Sequence, residues 1–241
     1  DLIKKVEKRL RLYWSPEQIA GRLKLENQEK SVICHETIYR YLYVHRKDLF
    51  PFLRHGHKRR YRRRHGTLLR GKRREEAKKQ RIDTRPDIVN TRERLGDWEG
   101  DTIVGGEKTI HLLTHVDRKS GVLFLDKLDH ATAEQTRRVT TARFKQLSKY
   151  LCHTITYDNG VQFSEFEILS RDLHTYIFFA YPYHSWERGT NENTNGLVRQ
   201  FFPKKSLFKQ ITQKQITTVE RLINTRPRKR HGYRTPLEVF S

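Results

Sequence analysis

Three acids stand where chemistry is possible in this otherwise strongly basic chain. Asp101 closes the segment Gly96-Asp-Trp-Glu-Gly-Asp101, Asp158 lies in Thr156-Tyr-Asp-Asn-Gly160, and Glu192 lies in Arg188-Gly-Thr-Asn-Glu192-Asn-Thr-Asn-Gly196. Each segment reads as a strand end or a helix start, where a carboxylate meets solvent at the mouth of a sheet. Converging carboxylates repel one another, and divalent metal removes that repulsion. Mg²⁺, with Mn²⁺ as a substitute, is an oxygen-seeking ion held by a few carboxylates plus phosphate oxygens; two such ions about 4 Å apart can activate one oxygen and stabilise another as it leaves. The chemistry expected of Asp101, Asp158 and Glu192 is therefore in-line phosphoryl transfer, with two metal ions as cofactors. Asp97, Glu99, Asp117 and Asp126 are equally close to strands, so the three are singled out by their joint placement alone.

The elements around them read as alternating strands and helices. Thr102-Ile-Val and residues 109–116 are strand-like with Gly105-Gly106 as a turn between them, and Val122-Leu-Phe-Leu follows the turn-like Lys119-Ser-Gly121. Residues 133–150 then read as a helix, 154–158 as a strand, 165–173 as a helix, 176–180 as a strand and 191–201 as a helix. The order βββαβαβα predicts an α/β domain, a mixed sheet flanked by helices, over residues 91–241. In that order the first and fourth strands can be neighbours, which brings Asp101 beside Asp158. The helix after the last strand can then carry Glu192 over the same edge.

Upstream, residues 1–53 read as short helices. Ser15 is placed to cap a helix that begins at Pro16 and sets Ile19 and Leu23 on one face. A second helix, His35-Glu-Thr-Ile-Tyr-Arg-Tyr-Leu-Tyr43, buries Ile38, Tyr41 and Leu42, so the pair suggests a helix-turn-helix. Its second helix would present His35, Glu36, Thr37 and Arg40 to base edges. A plain helical pair is the competing reading.

Lys and Arg number 50 against 28 Asp and Glu, a formal charge of +22, which calls for a polyanionic partner, and duplex DNA fits. From Arg54 to Arg81 there are 14 basic and 2 acidic residues with few aliphatics, so residues 54–90 read as a linker or arm lying on phosphates, Arg59, Arg60, Arg62, Arg63 and Arg64 foremost. Arg199, Lys204 and Lys205, which follow Glu192, are further phosphate contacts. Arg226, Arg228, Lys229 and Arg230 form a second basic cluster, a backbone contact or a solvated surface. Trp98 and Trp186 read as packing residues rather than base-stacking platforms.

Composition narrows the class further. With 12 Phe, 11 Tyr and 3 Trp the chain can build a core, which excludes a disordered tail. No apolar run approaches the roughly 20 residues of a membrane-spanning helix, so no membrane partner is expected. Cys34 and Cys152 cannot form a disulfide framework and read as small buried residues, which fits a reducing cytoplasmic setting. The histidines, His111 with His115 or His55, His57 and His65, lack zinc spacing. No methionine occurs even at position 1, so the chain is expected to begin inside a longer product.

Six segments in order carry a resemblance: Trp14-Ser-Pro-Glu-Gln-Ile-Ala20, His35-Glu-Thr-Ile-Tyr39, Gly96 to Asp101, Thr156 to Gly160, Arg188 to Gln200 and Asn224-Thr-Arg-Pro-Arg-Lys-Arg230. Together they resemble the bacterial insertion-sequence transposases of the IS-thirty family. The resemblance implies a ribonuclease H-like catalytic core of the integrase type, with Asp101, Asp158 and Glu192 as its Asp-Asp-Glu triad. It implies binding of insertion-sequence ends, metal-dependent cleavage and transfer to target DNA, with a homo-oligomer as the active assembly and the bacterial nucleoid as its location. A second, more N-terminal helix-turn-helix, also implied, is not found in these residues. After Phe201-Phe-Pro-Lys204 the family continues with Gly-Thr, whereas this chain has Lys205-Ser206. Two other functions fit the same residues: a non-catalytic DNA-binding repressor, and a metal-dependent nuclease without strand transfer.

Overall fold

A computed structural model describes residues 1–54, 79–181 and 185–241, and the chain divides into two compact units, Asp1–Lys79 and Gln80–Ser241. The arm residues Arg59, Arg60, Arg62, Arg63 and Arg64, and the histidines at 55, 57 and 65, lie outside the described residues.

Among the described residues the α-helices of the first unit are α1 (Leu2–Arg11), α2 (Pro16–Glu26) and α3 (His35–His45). Ser15 caps α2 through a reciprocal pair: its hydroxyl accepts from Gln18 N at 3.2 Å, and the Gln18 side chain accepts from Ser15 N at 2.9 Å. Helix α1 is an element beyond the expected pair, although Val6 and Leu10, one turn apart, announce it. They close a core with Trp14, Ile19, Leu23, Ile38, Leu42 and Leu49. Tyr41 is half-buried because its hydroxyl donates to Glu7 at 2.6 Å, tying α3 to α1, and Arg46 bonds the same carboxylate.

The second unit adds α4 (Asp87–Thr91), β1 (Asp97–Val104), β2 (His111–Asp117), β3 (Leu123–Leu128), α5 (Ala133–Phe144), β4 (Thr154–Tyr157), α6 (Phe166–Leu173), β5 (Tyr176–Phe179), α7 (Gly189–Phe201), α8 (Gln213–Asn224) and α9 (Pro236–Phe240). The sheet order is β3-β2-β1-β4-β5, with β1 antiparallel to β2 and parallel to β4. This is the ribonuclease H-like mixed sheet expected. Residues 80–90 belong with this unit rather than with the arm. Phe179 N donates to Gln80 O at 2.8 Å, and the buried Arg85 donates to Thr156 Oγ1 at 3.0 Å.

Side chains on β1 and β2 alternate between two cores, as strand geometry dictates. Ile103, Leu112 and Val116 join the core shared with Leu197, Val198, Ile216, Val219 and Ile223 from α7 and α8. Trp98 and Leu113 join the opposite core with Phe144, Ile155, Tyr157, Leu169 and Ile177. Trp98 is a packing residue: it is fully buried, donates Nε1–H to Leu151 O at 2.8 Å and stacks on Phe124 at 4.7 Å. The same alternation puts Glu99 and Asp101 on the α7 face.

Candidate active site

Asp101 lies on β1 opposite Thr114 of β2, and Asp158 lies one residue past the end of β4. Because β1 and β4 are hydrogen-bonded neighbours, the topology brings these two acids to one edge. Asp101 Oδ1 accepts from Thr102 N at 2.8 Å and Oδ2 from Asn195 Nδ2 at 2.9 Å. Asp158 Oδ1 accepts from Gly160 N at 2.9 Å, so the Asn159-Gly160 turn holds the carboxylate in place.

One cation joins them. The Arg188 guanidinium sets Nη1 at 3.6 Å from Asp101 Oδ2 and Nη2 at 3.6 Å from Asp158 Oδ2, and Nη1 also donates to Gly100 O at 3.1 Å. Burial raises the Asp101 carboxyl above the ordinary aspartate range; Arg188 opposes the rise and the nearby Asp158 charge adds to it.

Glu192 is exposed in the first turn of α7. Its helical neighbours one turn away on either side, Arg188 and Asn195, both touch Asp101, so Glu192 shares the face that looks toward the acidic pair. Among the described residues no three His, Cys, Asp or Glu side chains converge closely enough to form a metal-holding group. Asp101 and Asp158 are thus brought together, whereas Glu192 is exposed on α7 and forms no converging group of three acids with them.

The start of α7 is held from below by Glu99, a residue the sequence reading passed over. Its carboxylate is fully buried, accepts Asn191 N–H at 2.9 Å and pairs with Arg118 Nη1 at 2.5 Å. Arg118 Nε in turn donates to Val89 O at 3.0 Å. Thr114 Oγ1 lies within 3.2 Å of Asn191 Oδ1 and 3.0 Å of Asn195 Oδ1, a further polar seam between sheet and helix. Spacing could have pointed to these residues, since Glu99 lies two before Asp101 on the same strand face and Asn195 lies three after Glu192 on the same helix face.

The other candidates divide. His35, Glu36, Thr37 and Arg40 are all exposed at the start of α3. Lys204 and Lys205 are exposed as well, but the Arg199 guanidinium is occupied. It donates to Val104 O at 2.9 Å and reaches the carbonyls of Phe202 and Pro203 at 3.5 Å, which clamps the 202–205 loop to the end of β1. Lys205 adopts φ +78° over Gly106, where a Cβ on that glycine would stand 2.6 Å from Lys205 O. A left-handed backbone is one that glycine adopts more readily than lysine. In the C-terminal cluster Arg226 is buried, with Gln200 Oε1 at 3.3 Å, and Arg228 and Arg230 donate to the carbonyls of Ile223 and Lys119. Those bonds brace the fold, while Lys229 and Arg230 are both exposed. Cys34 is exposed, against expectation, whereas Cys152 is buried. His115 is a core residue: it is buried, bonded to Tyr157 Oη at 2.8 Å, and burial pushes its pKa down to about 3. No helix among the described residues is long and apolar enough to cross a membrane.

Comparison with known proteins adds the lineage. No family model matches the chain. The transposase for insertion sequence element IS4351 of Bacteroides fragilis is 40% identical over 243 residues, which cover 98% of this chain and 72% of that protein. The transposase InsI for insertion sequence element IS30A of Escherichia coli (strain K12) is 36% identical over 251 residues, 99% of this chain and 64% of that protein. The chain therefore spans about two thirds of the length of these relatives. Among solved structures, the HTLV-2 integrase catalytic core domain in complex with magnesium aligns with a TM-score of 0.48 and 19% identity, over 61% of this chain and 97% of that one. Identity of this degree along almost the whole chain leads to one conclusion: the protein belongs to the IS-thirty family of insertion-sequence transposases.

Proposed function

We propose that this chain performs metal-dependent DNA cleavage and strand transfer, and that Asp101, Asp158 and Glu192 are its catalytic acids. The observation that carries this reading is the acidic pair on two neighbouring strands, Asp101 within β1 and Asp158 just past β4, already sharing one cation, in a relative of named transposases. The donor set fits a divalent metal, because carboxylate oxygens held on and beside the strands suit a hard cation, and the two carboxylates already share one positive group at 3.6 Å from each. Asp101, Asp158 and Glu192 would hold two Mg²⁺ ions, with Mn²⁺ as a substitute. Bound there, the ions would supply Lewis acidity to an attacking oxygen and charge stabilisation to a leaving one.

The chain's own residues do the positioning. The β1–β4 pairing fixes the spacing of Asp101 and Asp158, Asn195 orients Asp101, and Glu99 anchors the turn that carries Glu192. Water attacks a phosphodiester at the element's end and releases a 3′ hydroxyl, which then attacks target DNA. Neither step needs a covalent enzyme intermediate. Residues 1–53 read the ends through His35, Glu36, Thr37 and Arg40; the arm from residue 54 to residue 79 and Lys204 and Lys205 lie on phosphates; two ends in one complex call for a homo-oligomer.

The test is incubation with labelled duplex bearing element ends, in Mg²⁺ and in EDTA, for the wild type and Glu192→Gln. Cleavage and joined products that require both metal and Glu192 are expected. Cleavage without joining would reduce the protein to a nuclease, and salt-sensitive binding without cleavage would make it a DNA-binding regulator.

A further inference from the structure

Arg188 does more than border the site. Its guanidinium stands between the two aspartates at 3.6 Å from each, a separation that gives charge attraction without a close hydrogen bond. Asp101 takes its closer bonds from Thr102 N and Asn195, and Asp158 from Gly160 N. The arginine side chain is only 13% exposed, so water screens it weakly, and among the described residues its buried Nε has no hydrogen-bond partner. Anchored by the one bond from Nη1 to Gly100 O at 3.1 Å, held to the aspartates by charge alone and with one donor idle, the guanidinium is poised to exchange partners. The edge formed by Nε and Nη2 is the fork that takes two oxygens of a phosphate, and Arg188 spends only Nη2 of that edge on an aspartate.

We propose that Arg188 is the resting counter-cation of the Asp101–Asp158 pair: it competes with divalent metal for the carboxylates until a DNA phosphate draws its guanidinium away, so that metal uptake and DNA binding are coupled. This rests on the reading of the two aspartates as metal ligands. The physical basis is that two cations cannot neutralise the same pair of carboxylates without repelling each other, so whatever engages the guanidinium elsewhere strengthens the metal. Linkage makes the effect reciprocal, and bound metal tightens DNA by the same factor. The device would keep the protein from loading metal before its substrate is in place.

The experiment is a Mn²⁺ titration of the 241-residue chain followed by electron paramagnetic resonance of the unbound ion, with and without a duplex oligonucleotide. Wild type, Arg188→Gln, Arg188→Lys and Asp158→Asn are compared, with Asp158→Asn plus duplex as the blank for ions held by DNA. Without DNA, Arg188→Gln should bind Mn²⁺ at least about tenfold tighter than wild type, and Arg188→Lys, whose ammonium reaches one carboxylate at a time, should gain about threefold. Duplex should raise the wild-type affinity toward that of Arg188→Gln while changing Arg188→Gln little. Equal or weaker Mn²⁺ binding by both arginine variants overturns the counter-cation, and an undiminished effect of duplex in Arg188→Gln overturns the coupling. Wild-type binding that survives Asp158→Asn unchanged would instead remove the metal-site reading itself, and the proposal with it. Should Arg188→Gln fail to fold, Arg188→Lys carries the comparison, and affinity equal to wild type refutes it.

Discussion

Replacing Glu99 by Gln tests how the fold holds the first turn of α7. The carboxylate is fully buried and takes two donors, Arg118 Nη1 at 2.5 Å and Asn191 N at 2.9 Å, and Arg118 itself is 5% exposed. A carboxamide of the same shape has one acceptor oxygen, so its NH₂ must face either the guanidinium or the helix amide, donor against donor. One donor loses its partner and a buried cation loses its counter-charge. Breaking a buried pair in this way costs about 3–5 kcal/mol, and we take the lower end, about 3 kcal/mol, because Arg118 keeps its bond to Val89 O. In a unit of this size about 3 kcal/mol lowers the melting temperature by roughly 6–12 °C, read by near-ultraviolet circular dichroism. Pairing the change with Arg118→Met, which removes the stranded charge, should restore at least half of the loss. Because Asn191 precedes Glu192, DNA cleavage should fall further than DNA binding. A melting temperature within about 2 °C of wild type would refute the assignment of Glu99 as the anchor of α7.

Asp101→Ala should abolish cleavage in Mg²⁺ while leaving duplex binding intact or tighter, since it removes a negative charge that would repel DNA phosphates; retained cleavage in that assay would end the assignment. Lys205→Gly should raise stability by about 0.5 kcal/mol in urea denaturation, because relief of a left-handed lysine at φ +78° slightly exceeds the added freedom of glycine in the unfolded chain. Asp126 has its pKa raised by burial to about 6, with Arg143 opposing the rise and Glu220 adding to it. The folded state then holds a proton that the unfolded state releases, so stability from this group is greatest near pH 4 and declines as pH rises to about 6. Asp126→Asn should therefore be more stable than wild type at pH 7.5, on the order of 1–2 kcal/mol, with the gap closing as the pH is lowered to 4. Parallel denaturation curves at both pH values check this, and a constant gap would count against it.

Much of this architecture was legible in the residues themselves. The Ser15 cap, the two aspartates and the order of strands and helices are local signals: a cap needs its partner three residues on, and a strand declares its faces by alternation. Helix α8 was legible and went unread, for Thr212 caps it through Gln215 and Ile216, Val219 and Ile223 mark its buried stripe. What the sequence determined alone was the set of acids, the basic balance and the segments that tie the chain to its family. The tertiary structure decided which charges are used up and which face outward. Arg199, Arg226 and Arg230 look like phosphate contacts in one dimension, yet carbonyls and a glutamine brought from distant segments claim them. Glu99 looks like any acid near a strand until Arg118 and Asn191, 19 and 92 residues away, close on it. The physical reason is that charge and polarity are properties of a residue, whereas the partner that satisfies them arrives through packing, which no local spacing records.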